Sequence, residues 1–215
     1  MTTPSDRTVR LNAILEGAPV IPVVTIRDPA RAVSLARALV AGGIRAIEVT
    51  LRTPQARDAA AAIIAEVKDA VVGIGTVLTP ADLRAAEEMG AQFALSPGAS
   101  PALLEAASAS PLPFIPGIAT PSELMAVLAA GLDVAKFFPA ASAGGMAALK
   151  AFAGPFPTAR FCPTGGIGEA DAAAWLALPN VVAIGGSWLA PEADISAGRF
   201  DAITERARRI MAQLL

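Results

Sequence analysis

Short apolar runs alternate with amphipathic segments along the whole chain. The runs Val20 to Ile26, Ile44 to Leu51, Val71 to Val77, Gln92 to Ser96, Phe114 to Gly117, Val134 to Phe138, Arg160 to Thr164 and Val181 to Gly186 have the length and composition of strands. Each is followed by a helical pattern. Several helix starts share one local chemistry, a capping side chain ahead of proline: Asp28-Pro29, Thr53-Pro54, Thr79-Pro80, Ser100-Pro101 and Thr120-Pro121. Such side chains accept from the orphan amides of the first turn, where proline has none to lose. Thr120-Pro121-Ser122-Glu123 also has the spacing of a capping box. The last helix, Phe200 to Leu214, sets Phe200, Ile203, Ala207, Ile210 and Leu214 on one face.

Strand followed by helix, eight times over, predicts parallel βαβ units and an α/β fold, a (β/α)8 TIM barrel, preceded by an additional N-terminal helix within Met1 to Glu16. An open doubly wound sheet competes. It normally carries a glycine-rich turn after its first strand, and Val23-Val24-Thr25-Ile26-Arg27-Asp28-Pro29 has no glycine. No linker or shift in composition divides residues 1–215, so one barrel domain is expected.

With 54% hydrophobic and 17% charged residues the chain has ample material for a core and lacks the signature of disorder. A net charge of −2 with dispersed basic residues gives no footprint for nucleic acid or an anionic membrane. The N-terminal residues lack an apolar signal core, and the uncharged run Ala172 to Pro191 is broken by Pro179-Asn180 and Gly185-Gly186. One cysteine, Cys162, excludes an internal disulfide and fits a cytoplasmic location. The chain has no histidine and no tyrosine. Ser-His-Asp and Cys-His devices are therefore impossible, histidine cannot ligate a metal, and acid-base work falls to carboxylates, lysine or water.

Within the sixth run, Asp133-Val134-Ala135-Lys136-Phe137-Phe138-Pro139 places an ammonium group in what otherwise reads as a buried strand. The other two lysines, Lys68 and Lys150, lie in helical, solvent-facing patterns. Alternation puts Val134, Lys136 and Phe138 on one face. Burial lowers a lysine pKa, and a shift from about 10.4 to about 7.5 corresponds to roughly 4 kcal/mol of differential solvation. A neutral amine attacks carbonyls to give a Schiff base. A lysine held by a structural carboxylate is the competing explanation.

In a barrel the chemistry sits at the C-terminal strand ends. Strand two ends in Glu48, Thr50 and Arg52 on one parity, opposite Ile47, Val49 and Leu51, so a carboxylate, a hydroxyl and a guanidinium are expected at the mouth. An internal Glu48-Arg52 ion pair is the structural alternative. Strand three ends Gly73-Ile74-Gly75-Thr76, where glycine allows close approach by a ligand or a positive-φ turn. Ser96-Pro97-Gly98 and Ile115-Pro116-Gly117 suit turns. Strands seven and eight end in Gly165-Gly166 and Gly185-Gly186, the pair of loops where barrels often bind phosphate. Cys162 reads as a small apolar filler.

Taken in order, Glu48-Val49-Thr50-Leu51-Arg52-Thr53, Gly75-Thr76-Val77, Ser96-Pro97-Gly98, Lys136-Phe137-Phe138-Pro139-Ala140, Cys162-Pro163-Thr164-Gly165-Gly166-Ile167 and Gly185-Gly186-Ser187-Trp188-Leu189 resemble the 2-keto-3-deoxy-6-phosphogluconate (KDPG) and 4-hydroxy-2-oxoglutarate (KHG) aldolases, class I pyruvate aldolases. The resemblance spans nearly the whole chain. It implies cleavage of KDPG to pyruvate and glyceraldehyde 3-phosphate in the Entner-Doudoroff pathway, with no metal or other cofactor and a homotrimeric assembly. It also implies Lys136 as the Schiff-base lysine and Glu48 as the acid-base residue. Arg52 and Thr76 would hold the pyruvate carboxylate, Thr164 would lie beside the reacting centre, Phe138 and Pro97 would line the pocket, and Gly165, Gly166, Gly186 and Ser187 would receive the phosphate. The chain departs from the family pattern at Ala141, often glutamate, and at Ile74, often alanine, which bears on substrate preference. Relatives acting on the galactonate epimer or on 4-hydroxy-2-oxoglutarate would use the same lysine. A barrel that binds a phosphorylated metabolite without catalysis, and a metal-dependent class II aldolase, are readings of other kinds.

Overall fold

A computed structural model describes residues 6–214. Helix α1 spans Asp6–Glu16, and residues 1–5 of the anticipated N-terminal helical stretch lie outside the described residues. The strands are β1 (Val20–Val24), β2 (Ala46–Thr50), β3 (Val71–Gly75), β4 (Phe93–Leu95), β5 (Phe114–Ile115), β6 (Gly117–Ile118), β7 (Val134–Phe137), β8 (Arg160–Phe161) and β9 (Ile184–Gly186). Between and after them run α2 (Ala32–Ala41), α3 (Ala56–Glu66), α4 (Pro80–Glu88), α5 (Pro101–Ala109), α6 (Pro121–Ala129), α7 (Gly145–Ala153), α8 (Ala172–Leu176), α9 (Glu192–Ser196) and α10 (Phe200–Leu214), with 3-10 turns at Pro29–Arg31 and Glu169–Asp171. This is a mixed α/β fold of curled parallel strands.

All strand pairings are parallel. One sheet runs β5-β4-β3-β2-β1-β9 and the other β6-β7-β8. The predicted fifth strand is split in two at Pro116, which has no amide to give to a ladder. On the other side the sheets are tied by bridges between Phe161 and Val181 and between Thr164 and Gly185. Most strands are shorter than the apolar runs that announced them. The runs continue past the named strands as buried backbone that is still hydrogen-bonded to its neighbours, as at Cys162-Pro163, where Cys162 N donates to Ala135 O and Pro163 O accepts from Gly185 N, both at 2.9 Å.

The two parities of each strand enter two different cores. Ile47, Val49, Ala135, Phe137 and Ile184 pack among the helices. Ile21, Ala46, Phe93, Val134, Cys162 and Ala183 face the opposite, inner side, where Leu11 and Leu15 of α1 close them off. Burying each of those leucines contributes about 1.5–3 kcal/mol, so α1 belongs to the inner core. The α10 face is as its spacing predicts: Ile203, Ala207 and Ile210 are buried, and the helix crosses α2 at Gly42, where an added Cβ would lie 2.4 Å from that of Ala207.

Of the five starts marked by a capping side chain ahead of proline, local chemistry sets four. Thr79 caps α4 in a reciprocal box with Asp82, Thr120 caps α6 in one with Glu123, Ser100 accepts from Leu103 N, and Asp28 accepts from Ala30 N ahead of a 3-10 turn. Thr53-Pro54 does not cap a helix. Thr53 Oγ1 donates to the carbonyl of Ile26, 2.6 Å away, and α3 begins only at Ala56 without a side-chain cap. Lys68 sits in the turn beyond α3 and Lys150 on α7, both exposed as expected. Among the described residues no helix is long and apolar enough to cross a membrane, and the uncharged run is α8, a turn and β9.

Candidate active site

Lys136 lies in the middle of β7, held by backbone bonds on both sides: its amide donates to Pro116 O at 2.8 Å, and Cys162 N donates to Ala135 O at 2.9 Å. Its side chain takes the inner parity with Val134 and is only 3% exposed. Glu48, on the inner parity of β2, is 1% exposed and reaches it across the interior. Lys136 Nζ donates to Glu48 Oε1 at 2.7 Å and to Oε2 at 3.0 Å. The same nitrogen lies 5.7 Å from the centre of the Phe138 ring. Sequence parity anticipated that the amine and the carboxylate face inward, and the fold makes them partners over 88 residues of separation. The alternative Glu48-Arg52 pair does not form among the described residues.

The two other polar side chains of β2 part company. Thr50, expected at the mouth, is fully buried and donates to Val24 O at 3.0 Å, so it serves the β1–β2 seam and also meets Thr25 Oγ1 at 3.0 Å. Arg52 is exposed, with no hydrogen bond or ion pair to any described residue. It lines a cavity of about 100 Å³ together with Val23, Phe138, Thr164, Gly165, Gly166, Ile167, Gly185 and Ser187. Phe138, whose ring centre lies 5.7 Å from Lys136 Nζ, is the lining residue that links this cavity to the lysine. A larger hollow of about 580 Å³ between Glu169, Ala173 and Ile210 is remote from the amine and carries no comparable chemistry.

The loops after β7 and β8 are locked together. Ala140 N donates to Thr164 O at 2.8 Å and Ala141 N to Gly165 O at 3.0 Å, and the Phe138-Pro139 peptide is cis. Gly165 and Gly166 have φ of 97° and 76°, conformations that favour glycine. An added Cβ on Gly166 would meet Ala141 Cβ at 2.5 Å, so the small residue at 141 lies against the second glycine.

Thr76 follows Gly75 at φ 60°, the one non-glycine described residue in the left-handed region. A β-branched residue there costs about 1–3 kcal/mol, and such strain clusters at functional positions. Pro97 lies one strand from the lysine: its carbonyl group covers Gly117, the register partner of Lys136. The Cβ side of Gly186 faces the Trp188 indole, while Gly185 is the glycine of this pair that lines the cavity, its open side filled by Thr164 Oγ1. Alternation from buried Ile184 carries that signal. Val23 and Ile167 were likewise missed, since apolar residues at strand ends have no distinguishing chemistry.

Cys162 is buried beneath the pair. Burial pushes its thiol up to about 12; the charge of Lys136 works against that and the charge of Glu48 adds to it. It is an inert filler, as expected.

A buried lysine against a carboxylate thus lies near a glycine-lined cavity edged by a free guanidinium. The profile of the "Aldolase: KDPG and KHG aldolase" family matches residues 11–206. The chain belongs to the KDPG and KHG aldolase family. It is 53% identical over 196 residues to the KHG/KDPG aldolase of Escherichia coli K12, covering 91% of this chain and 92% of that protein. It is 50% identical to the 2-dehydro-3-deoxy-phosphogluconate aldolase of Dickeya dadantii, with 93% of each covered. Among solved structures of this aldolase family, the KDPG aldolase of Legionella pneumophila, holding pyruvate as a covalent carbinolamine, superposes with a TM-score of 0.91 at 46% identity, covering 93% of this chain and 97% of that one. The Zymomonas mobilis KDPG aldolase with 3-phosphoglycerate gives a TM-score of 0.88 at 43% identity, covering 94% and 95%.

Proposed function

We propose that this protein is a class I aldolase that cleaves KDPG to pyruvate and glyceraldehyde 3-phosphate through a Schiff base on Lys136. The observation that carries the proposal is the Lys136–Glu48 contact, 2.7 and 3.0 Å, buried from solvent and with Phe138 shared between the lysine and the cavity that Arg52 lines. Glu48 accepts a proton from the Lys136 ammonium, and the free amine adds to the C2 carbonyl to give a carbinolamine. Loss of water, protonated by Glu48, leaves an iminium. When C3–C4 breaks, its electron pair moves onto the iminium, while Glu48 takes the C4 hydroxyl proton directly or through water. Protonation of the resulting enamine at C3 and hydrolysis release pyruvate and restore the amine. Arg52 grips the keto-acid carboxylate and sets C2 over the amine, with Thr76 beside it. Thr164 stands by the reacting carbon, Phe138 and Pro97 form walls, and the amides of Gly165, Gly166, Gly186 and Ser187 receive the phosphate. The lysine itself is the electron sink, so no metal enters, and activity is expected to persist in excess chelator.

The name of the Escherichia coli relative supports 4-hydroxy-2-oxoglutarate as a second substrate. Rates on KDPG, its galactonate epimer and 4-hydroxy-2-oxoglutarate, measured side by side, rank the three. We further read the strands as one closed (β/α)8 barrel in a single domain, supported by the sheet order and the bridges across β8 and β9. A cytoplasmic homotrimer working in the Entner-Doudoroff pathway accords with the family resemblance. The deciding experiment is borohydride reduction in the presence of pyruvate, followed by peptide mapping. Label on Lys136 is expected; label on another lysine, or none, overturns the proposal.

A further inference from the structure

We propose that Gly75 is a positioning residue for the reaction: by having no side chain it forms the slot into which the Glu48 carboxylate leans to reach Lys136. This rests on the aldolase reading and deepens it. A Cβ built on Gly75 would lie 2.1 Å from Glu48 Oε1, 2.6 Å from its Cγ and 2.7 Å from its carboxyl carbon. Ordinary contact distances are about 3.5–4.0 Å. A methyl group at this position therefore displaces the carboxylate. The oxygen nearest the slot, Oε1, is also the one 2.7 Å from Lys136 Nζ, so the displacement acts on the atom that meets the amine.

Ordinary reasons for a glycine do not apply at this position. Gly75 belongs to β3 and is absent from the positive-φ glycines. In register Glu48 stands opposite Gly73 and Thr50 opposite Gly75, so the Glu48 side chain leans one inward-facing step along the strand to occupy the space over Gly75. Gly73 has a different reason, since its open side is filled by the Phe93 ring. Glu48 is 1% exposed and has no solvent-side rotamer to retreat to without repacking the interior.

In the pyruvate iminium on Lys136, a C3–H bond breaks, the proton passes to the Glu48 carboxylate, and the electron pair forms the C2=C3 bond of the enamine, neutralising the nitrogen. The reverse step in D2O returns a deuteron from Glu48 to C3. Deuterium entry into the pyruvate methyl group thus reads the placement of Glu48, while borohydride trapping at equilibrium reads the amine.

The test uses Gly75→Ala in the wild-type and Glu48→Ala backgrounds. Gly75→Ala is expected to slow methyl exchange about tenfold or more while prolonged trapping still labels Lys136. It should lower the melting temperature in the wild-type background and leave it unchanged or raised in Glu48→Ala, where the clashing side chain is gone. Exchange within about twofold of wild type, or an equal loss of melting temperature in both backgrounds, overturns the proposal. Should the single variant fail to fold, Gly75→Ala/Glu48→Ala against Glu48→Ala alone decides it. If wild-type protein itself fails to trap pyruvate on Lys136, the aldolase reading falls, and the stability comparison still judges the slot.

Discussion

Replacing Lys136 by methionine separates the energetic role of the buried pair from its chemical one. Methionine preserves most of the lysine stem, so little cavity is created. What is lost is the partner of Glu48, a carboxylate 1% exposed whose two oxygens sit 2.7 and 3.0 Å from the amine. Breaking a buried pair from one side costs about 3–5 kcal/mol, against a total stability of about 5–15 kcal/mol for a domain. With a urea slope of about 3 kcal/mol per molar, the unfolding midpoint should fall by about 1–2 M. Lys136→Met/Glu48→Leu removes both charges and should return to within about 1 kcal/mol of wild type or exceed it. Both variants are expected to release no pyruvate in a lactate dehydrogenase-coupled assay. A Lys136→Met midpoint equal to wild type, or a double variant as unstable as the single one, would refute the claim that the two groups are desolvated together.

Arg52→Ala should raise KM for the keto-acid about tenfold to a hundredfold with a smaller change in kcat, since the exposed guanidinium contributes binding through charge-assisted bonds; steady-state kinetics checks this. Thr76→Gly should relieve left-handed strain of about 1 kcal/mol while weakening pyruvate binding, a gain in melting temperature paired with a loss of affinity. The Cys162 thiol, pushed up to about 12 by burial, should resist Ellman's reagent at pH 8 until urea unfolds the chain. Because the unfolded thiol ionises near about 8.5 and the folded one does not, stability should also fall as pH rises through that interval. Asp194 is held below the ordinary carboxylate range by hydrogen bonds from Arg199 and then Arg206. Its contribution is present above the unfolded value near about 3.9 and is lost as pH falls toward the depressed folded value. The stability difference between wild type and Asp194→Asn should therefore shrink on acidification through that range.

The sequence by itself determined the alternation of strand and helix, most helix starts, and the inward parity of Glu48, Lys136 and Val134. These follow from side-chain period and from capping chemistry, which act over a few residues. It also carried the family motifs. It misplaced Thr50, whose hydroxyl went to Val24, and Thr53, whose hydroxyl went to Ile26, because neither partner is near in sequence. It did not single out Gly185, which lines the cavity, since two adjacent glycines look alike until a strand twist decides which one faces inward.

Only the tertiary structure decided that Lys136 and Glu48 touch, that Thr76 is held at positive φ, and that the empty side of Gly75 is filled by a carboxylate of the chain's own. Each is a contact or a strain set by curling β2, β3 and β7 around one interior. Periodicity fixes which way a side chain points, and distance across that interior depends on how all the strands pack at once.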